Sequence, residues 1–185
     1  MPDPLIVAFV PGVTPGKWER TWRERRPRGR LELRPHTQAE ALAALDDGTV
    51  HMALARDVLP DDDHHAIPLY REAAVVVAPK GSLVAGVGEL SLDDLAGLDD
   101  VTVLPVDLQG GTGAEAIELV AANVGVAVLP QSVARAHSRK DVVARPLSGA
   151  PDTGIALVWP TRDAHPLCDE FIGIVRGRTA NSTRR

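Results

Sequence analysis

Residues 5–10 read LIVAFV, six apolar residues with no polar alternation. A strand of that kind has to be covered on both faces, as in a sheet flanked by helices. The next residues fit such a layer. Thr14 is a candidate N-cap with Pro15 at the first helical position. Trp18 and Trp22, four apart, share one helix face, and Pro27 or Gly29 should stop that helix. RLELRP (30–35) reads as a short strand. Thr37 and Glu40 then form a T-x-x-E capping box, Leu42 and Leu45 supply an apolar face, Gly48 ends the helix, and VHMALAR (50–56) is the next strand. Strands alternating with helices imply right-handed crossovers and a mostly parallel sheet.

Further along, residues 73–78 form a long apolar strand, and SLDDLAG is a short helix capped by Ser91 with Asp94 three residues on. VTVLP (101–105), residues 141–147 and residues 154–160 are further strand candidates. Pro166 is placed to start a last helix with Leu167, Phe171, Ile174 and Val175 on one stripe. The polar end of the chain, 177–185, is expected to be a disordered tail.

Composition removes several function classes. Aromatics make up 3% of the 185 residues, so the core must be built from Ala, Val and Leu. The formal net charge of -5 argues against nucleic acid as a direct partner, because phosphate binding needs clustered Lys and Arg. Arginine does concentrate in WRERRPRGR (22–30), interrupted by Glu24, which reads as a solvated helix end. Cys168 stands alone, so the chain holds neither a disulfide framework nor a cysteine zinc site, as suits the cytoplasm. MPDPLIVAFVPG lacks a basic leader region and reads as a strand, and no apolar run approaches a membrane span. Asp61, Asp62 and Asp63 beside His64 and His65 resemble metal ligands, but adjacent histidines on a loop without a distant third ligand read as solvated surface. Neither metal nor cofactor is expected.

GGTGAEAIELVAANVGVAVLP (110–130) raises the one nucleotide question, since Gly111, Gly113 and Ala116 fit G-x-G-x-x-A. A dinucleotide site also needs an acid at the end of the next strand, and here Gln131 and Ser132 stand instead. The segment reads better as a helix with a Thr112–Glu115 capping box and an apolar face of Ile117, Val120, Ala121 and Val124. A phosphate loop would need Lys after Gly113, where Ala114 stands, and no G-x-S-x-G elbow occurs. Cys168 reads as a small buried hydrophobe and His51 as structural, so no enzyme is expected.

LYREAAVVVAPKGSLVA, SLDDLAG, AIELVAANVGVAVLPQSVA, VVARPL and IALVWP occur in a characteristic order, after ALDDGTVHMALAR. From about Leu5 to Arg176 the chain resembles the effector-binding domain of LysR-type transcriptional regulators. The resemblance implies an α/β, two-lobe fold like the type II periplasmic binding proteins, with a central cleft. Lobe one would comprise 1–78 plus 147–176, and lobe two 79–146. Only residues 106–111 intervene where the family has a helix and a strand, so the second lobe is shortened. The family's N-terminal helix-turn-helix has no counterpart here, and a domain or stand-alone relative without its own DNA-binding part is expected.

Ligands in such folds sit where helices begin at the ends of parallel strands, and helix N-termini favour anions. By position, Thr14, Thr37 and Arg56 match cleft residues of the family. A small anionic effector is therefore expected on Val13, Thr14, Thr37, Gln38, Arg56 and the turn Gly111, Thr112 and Gly113. The plain alternative makes the three threonines helix caps and Arg56 a surface ion pair. A catalytic cleft and a dimerisation module without ligand are the rival functions. A homodimer is expected, for which Trp18 and Trp22 could serve if they are not core.

Overall fold

The computed structural model describes residues 3–177; the tail expected at 177–185 lies, beyond Gly177, outside the described residues. The elements are β1 (Leu5–Phe9), α1 (Gly16–Arg25), β2 (Leu31–Pro35), α2 (Gln38–Asp46), β3 (Met52–Arg56), β4 (His64–Glu72), β5 (Ala74–Pro79) and α3 (Leu83–Gly86). They continue with β6 (Leu90–Ser91), α4 (Leu92–Ala96), α5 (Ala114–Ala121), β7 (Ala127–Pro130), α6 (Gln131–Ala136), β8 (Val142–Ser148), β9 (Thr153–Pro160) and α7 (Cys168–Val175). The chain divides into two compact units, Met1–Tyr70 with Gly154–Arg185, and Arg71–Thr153. The changes of unit fall at 70/71 and 153/154.

The first unit is built on a five-stranded sheet of order β2-β1-β3-β9-β4. β1 runs parallel to both neighbours, with Val7 opposite Leu33 and Met52, while β9 is antiparallel to β3, with Leu54 opposite Leu157. All five residues of β3 are buried, as a central strand covered on both faces requires. Trp18 and Trp22 turn inward, and the Trp22 ring lies 6.0 Å from that of Phe171 on α7, tilted by 59°. These tryptophans are core and are not presented for pairing. The Trp22 indole N–H donates to Gly29 O at 2.9 Å, so its polar edge is satisfied as well. α2 starts on the expected capping box, and Gly48, at φ 76°, takes the left-handed conformation just past its end.

The second unit has a four-stranded sheet of order β6-β8-β5-β7. Its strand β5 explains the unbroken apolar run at 73–78. Val75 and Val77 join a cluster with Ile117, Leu129 and Val133, while Val76 and Ala78 join a different one with Val84, Leu95 and Leu147. Side chains alternate across a strand, so two cores require two apolar sets interleaved in one run.

Several expectations need correction. The second sheet is not mainly parallel: β5 is antiparallel to both β7 and β8. VTVLP forms no strand, only an isolated bridge from Val103 to Val126. Residues 64–72 are a strand that the apolar pattern missed. That strand, β4, lies at a sheet edge, where Pro68 costs no ladder hydrogen bond and half-burial erases the apolar signal. Pro15 occupies the N-cap position of α1 in an αR conformation, so Thr14 caps nothing. Gly113 is the N-cap of α5, so Thr112 and Glu115 form no capping box, and Val124 lies past the end of that helix, 52% exposed. α7 begins at Cys168 rather than Pro166, which sits in the preceding turn.

Phe171 is fully buried against Trp22 in the first unit's core. Phe171→Ala should cost about 3–5 kcal/mol of stability by urea unfolding, and Phe171→Leu clearly less. Equal losses for the two would show that packing volume is not what Phe171 contributes.

Candidate functional site

Because β1, β2 and β3 are parallel, their C-terminal ends meet at one edge of the first sheet. The chain leaves β1 through Val10, whose N–H donates to Leu54 O at 3.1 Å, and leaves β2 through His36, whose N–H donates to Phe9 O at 3.1 Å. Val13 is anchored by its N–H on Val10 O and is buried in the core, so only its backbone is available to a ligand. Thr14 beside it is exposed and makes no cap hydrogen bond.

At the start of α2, Thr37 Oγ1 accepts from Glu40 N–H at 3.3 Å, and the Glu40 carboxylate accepts from Thr37 N–H at 2.8 Å. The hydrogen bond from the Thr37 backbone, then that from its side chain, holds the Glu40 carboxyl below its ordinary value. The Thr37 hydroxyl accepts within this box, which leaves its proton for an outside acceptor. Among the described residues, nothing accepts from the first-turn N–H groups of Gln38 and Ala39. Two open N–H groups at the positive end of a helix form an anion-attracting corner.

The Gln38 side chain has a structural role. It is buried and spans the end of β3: Nε2 donates to Arg56 O at 2.8 Å, and Oε1 accepts from Arg56 N–H at 2.9 Å. Arg56 still stands opposite Ile155 of β9, but the β1 ladder has ended, and the amide satisfies both backbone groups of Arg56 in its place. The bracket fixes the α2 N-terminus against the end of β3 and sets where the Arg56 side chain starts. Arg56 is 7% exposed, so most of its side chain is withdrawn from solvent. Asp57 is next, at φ 48°, with its N–H on Gly154 O at 2.8 Å and its carboxylate accepting from Gly154 N–H at 2.7 Å.

The structure thus gathers Val13, Thr14, Thr37, Gln38 and Arg56 on the first unit. Gly111, Thr112 and Gly113 belong to the second, where packing accounts for both glycines. A Cβ on Gly111 would meet Asp107 O at 2.8 Å, and one on Gly113 would meet Val133 Cγ1 at 2.8 Å. Gly113 also has φ 83°, which disfavours a side chain. Thr112 Oγ1 accepts from Ala114 N–H at 3.2 Å.

Other chemistry-bearing groups have structural duties. His51 Nδ1 accepts from Ile6 N–H at 3.0 Å while His51 N–H donates to Ile6 O at 2.9 Å, so the ring replaces a missing ladder partner for β1. His165 packs on it with ring centroids 4.3 Å apart, a contact that no local pattern announces. Burial first, then His165 and Arg34, push the His51 pKa down. Burial also pushes the Cys168 thiol up to about 11, which makes it a poor nucleophile. His64 lies between Asp46 at 3.1 Å and Asp61 at 3.4 Å. Among the described residues, no group of three or more His, Cys, Asp or Glu is placed to hold a metal ion, and no helix is long and apolar enough to cross a membrane.

Comparison with known proteins bears on this arrangement. A family model described as the LysR substrate binding domain matches residues 16–107 and 100–180. No individual curated protein matches the sequence significantly. Among solved structures, a mutant OxyR regulatory domain from Pseudomonas aeruginosa is similar at TM-score 0.75 and 18% identity, covering 95% of this chain and 96% of that one. The BenM effector binding domain with its effector benzoate is similar at TM-score 0.74 and 16% identity, over 94% of this chain and 90% of that one. Full-length CbnR, solved in complex with its target DNA, is similar at TM-score 0.73 and 18% identity, over 94% of this chain and 70% of that one. The mixed α/β architecture with two sheets is that of these two-lobe, periplasmic-binding-protein-like regulatory domains.

Gln38→Ala would strand the Arg56 N–H and C=O without their partners, at about 1–3 kcal/mol for each group left unsatisfied. Thr37→Ala should cost about 1 kcal/mol and Thr37→Ser much less. Denaturant titration checks this order, and a neutral Gln38→Ala would show that the bracket holds nothing. His51 gives a pH dependence. Its folded pKa lies below the ordinary 6.5, so the unfolded chain takes up the proton first. Stability should be complete above about pH 6.5, decline as pH falls from there towards the lowered folded value, and level off below it. His51→Asn should flatten that slope in thermal melts across the window, and an unchanged slope would assign it to other groups.

Proposed function

This chain belongs to the LysR substrate-binding-domain family, a family of regulatory ligand-binding domains, and from that membership we propose that it senses a small anionic molecule at the C-terminal edge of the first unit's parallel strands. The observation that carries the reading is the Gln38 bracket. It holds a helix start with two open N–H groups, Gln38 and Ala39, beside the strand end that carries Arg56. A carboxylate is the best-suited ligand group. The two N–H groups and the Thr37 hydroxyl donate to it, and a guanidinium supplies the opposing charge. Val13 and Thr14 would border the ligand through backbone and hydroxyl. No residue on this edge forms a nucleophile–base pair, so binding rather than turnover fits the side chains present. The same reading makes the domain a homodimer, for which the edge strand β2 offers an unpaired ladder; light scattering over a range of concentrations would check it.

A panel of small carboxylates, benzoate included, should raise the melting temperature of the parent chain progressively with ligand concentration. Arg56→Ala should abolish that shift. Arg56→Lys, which keeps the charge without the bidentate fork, should weaken binding about tenfold or more. If Arg56→Ala remains folded and binds as tightly as the parent, the anion reading fails.

A further inference from the structure

The stretch WRERRPRGR takes no part in the Thr37–Arg56 edge, and the structure gives it a shape. Residues 20–34 contain seven arginines against two glutamates, in a chain whose net charge is -5. Seven of the 20 Lys and Arg residues therefore fall in one short segment of net charge +5, and the remainder of the chain carries -10. α1 ends at Arg25, and Gly29 N–H donates to Arg26 O at 2.9 Å, closing a tight turn over Arg26, Pro27, Arg28 and Gly29. Pro27 at the second position presets that turn. The turn is held from beneath by the Trp22 indole N–H on Gly29 O, and Arg26 is tied to Glu170 of α7. The result is a fixed loop bordering a surface cavity of about 340 Å³, lined by Arg25, Arg26, Pro27, Arg28, Gly29 and Leu167. That volume lies within the range of small-molecule sites.

The arginines differ in their commitments. Arg26 is neutralised by Glu170, whereas Arg25 and Arg28 are exposed and form no ion pair with any described residue. Two uncommitted guanidiniums, Arg25 at the end of α1 and Arg28 on the braced turn, can each offer a planar pair of donors, with the Arg26 guanidinium and Leu167 alongside. An ordinary solvated helix end would not need a cavity or a double brace. We propose that the Arg25–Arg28 turn is a binding site for phosphate oxyanions, carried as a phosphoester or pyrophosphate group, separate from the carboxylate site at Thr37 and Arg56. Tetrahedral oxyanions with two or more negative charges suit a cluster of guanidiniums better than a single carboxylate does.

The test is titration of the full chain with sodium pyrophosphate by calorimetry at low salt, beside a short random-sequence DNA duplex followed by fluorescence anisotropy. The expected result is saturable pyrophosphate binding with one site per chain, weakened about tenfold or more in the Arg25→Gln/Arg28→Gln variant. These side chains are exposed, so the variant should melt with the parent. Glu170→Gln releases Arg26 and should tighten binding several-fold, a gain that loss of structure cannot mimic. Duplex binding that is lost in the same variant and falls steeply with salt would identify backbone phosphates as the source, and pyrophosphate binding alone a small phosphorylated ligand. Absence of binding by both probes, or binding unchanged in the double variant, overturns the proposal. Thr37→Val leaves this site intact, so failure of the carboxylate reading and failure of this one are told apart.

Discussion

β3 is a strand with no exposed residue, and the order of the first unit depends on how its backbone is satisfied at both ends. Along its length the ladders to β1 and β9 supply the hydrogen bonds. At its C-terminal end the Gln38 amide takes over, matching a donor and an acceptor to one peptide residue as a neighbouring strand would. At its N-terminal end His51 does the corresponding work for β1 through Nδ1. Buried backbone groups without partners are costly, so each of these side chains fixes the position of a whole element.

That bracket ties folding to function. The amide that completes the sheet also places the helix start and the Arg56 backbone next to each other. The groups proposed to meet a ligand therefore sit on elements held by buried hydrogen bonds. Thr37 is used in the same double way: its oxygen caps the helix, and its hydroxyl keeps a proton to donate. Arg25 ends α1 and Arg28 stands on the turn braced by Trp22 and Glu170, again charged groups carried by a committed framework.

The features visible in the sequence were those decided locally or by burial. The capping boxes at Thr37–Glu40 and Ser91–Asp94 need only residues three apart, and both form. The unbroken runs at β1, β3 and β5 reported strands covered on both faces. Thr14 and Thr112 carry the same local chemistry and form no capping box. At α1, Pro15 in an αR conformation moves the helix start by one residue. At α5, Val133, Leu108 and Leu129 crowd Gly113 and leave it the cap position. VTVLP has strand composition but only one bridging partner, and β4 lacks the composition while having a neighbour to pair with. Of the site, Thr37 and Arg56 were accessible through the order of motifs. The bracket that joins Gln38 to Arg56 was not, because no spacing rule links positions so far apart along the chain.

The sequence by itself determined the layered α/β class, most of the strands, the starts of α2 and α4, and the absence of any cysteine framework. Each comes from short-range pattern or from composition, which operate before the chain has folded. Only the tertiary structure decided that Trp18 and Trp22 are core, that the second sheet is largely antiparallel, that the Gln38 side chain brackets the Arg56 backbone, and that Arg25, Arg26 and Arg28 border a cavity. These depend on which distant backbone groups and apolar faces come together. That is settled by the burial and hydrogen bonding of the whole chain and is written in no local stretch of it.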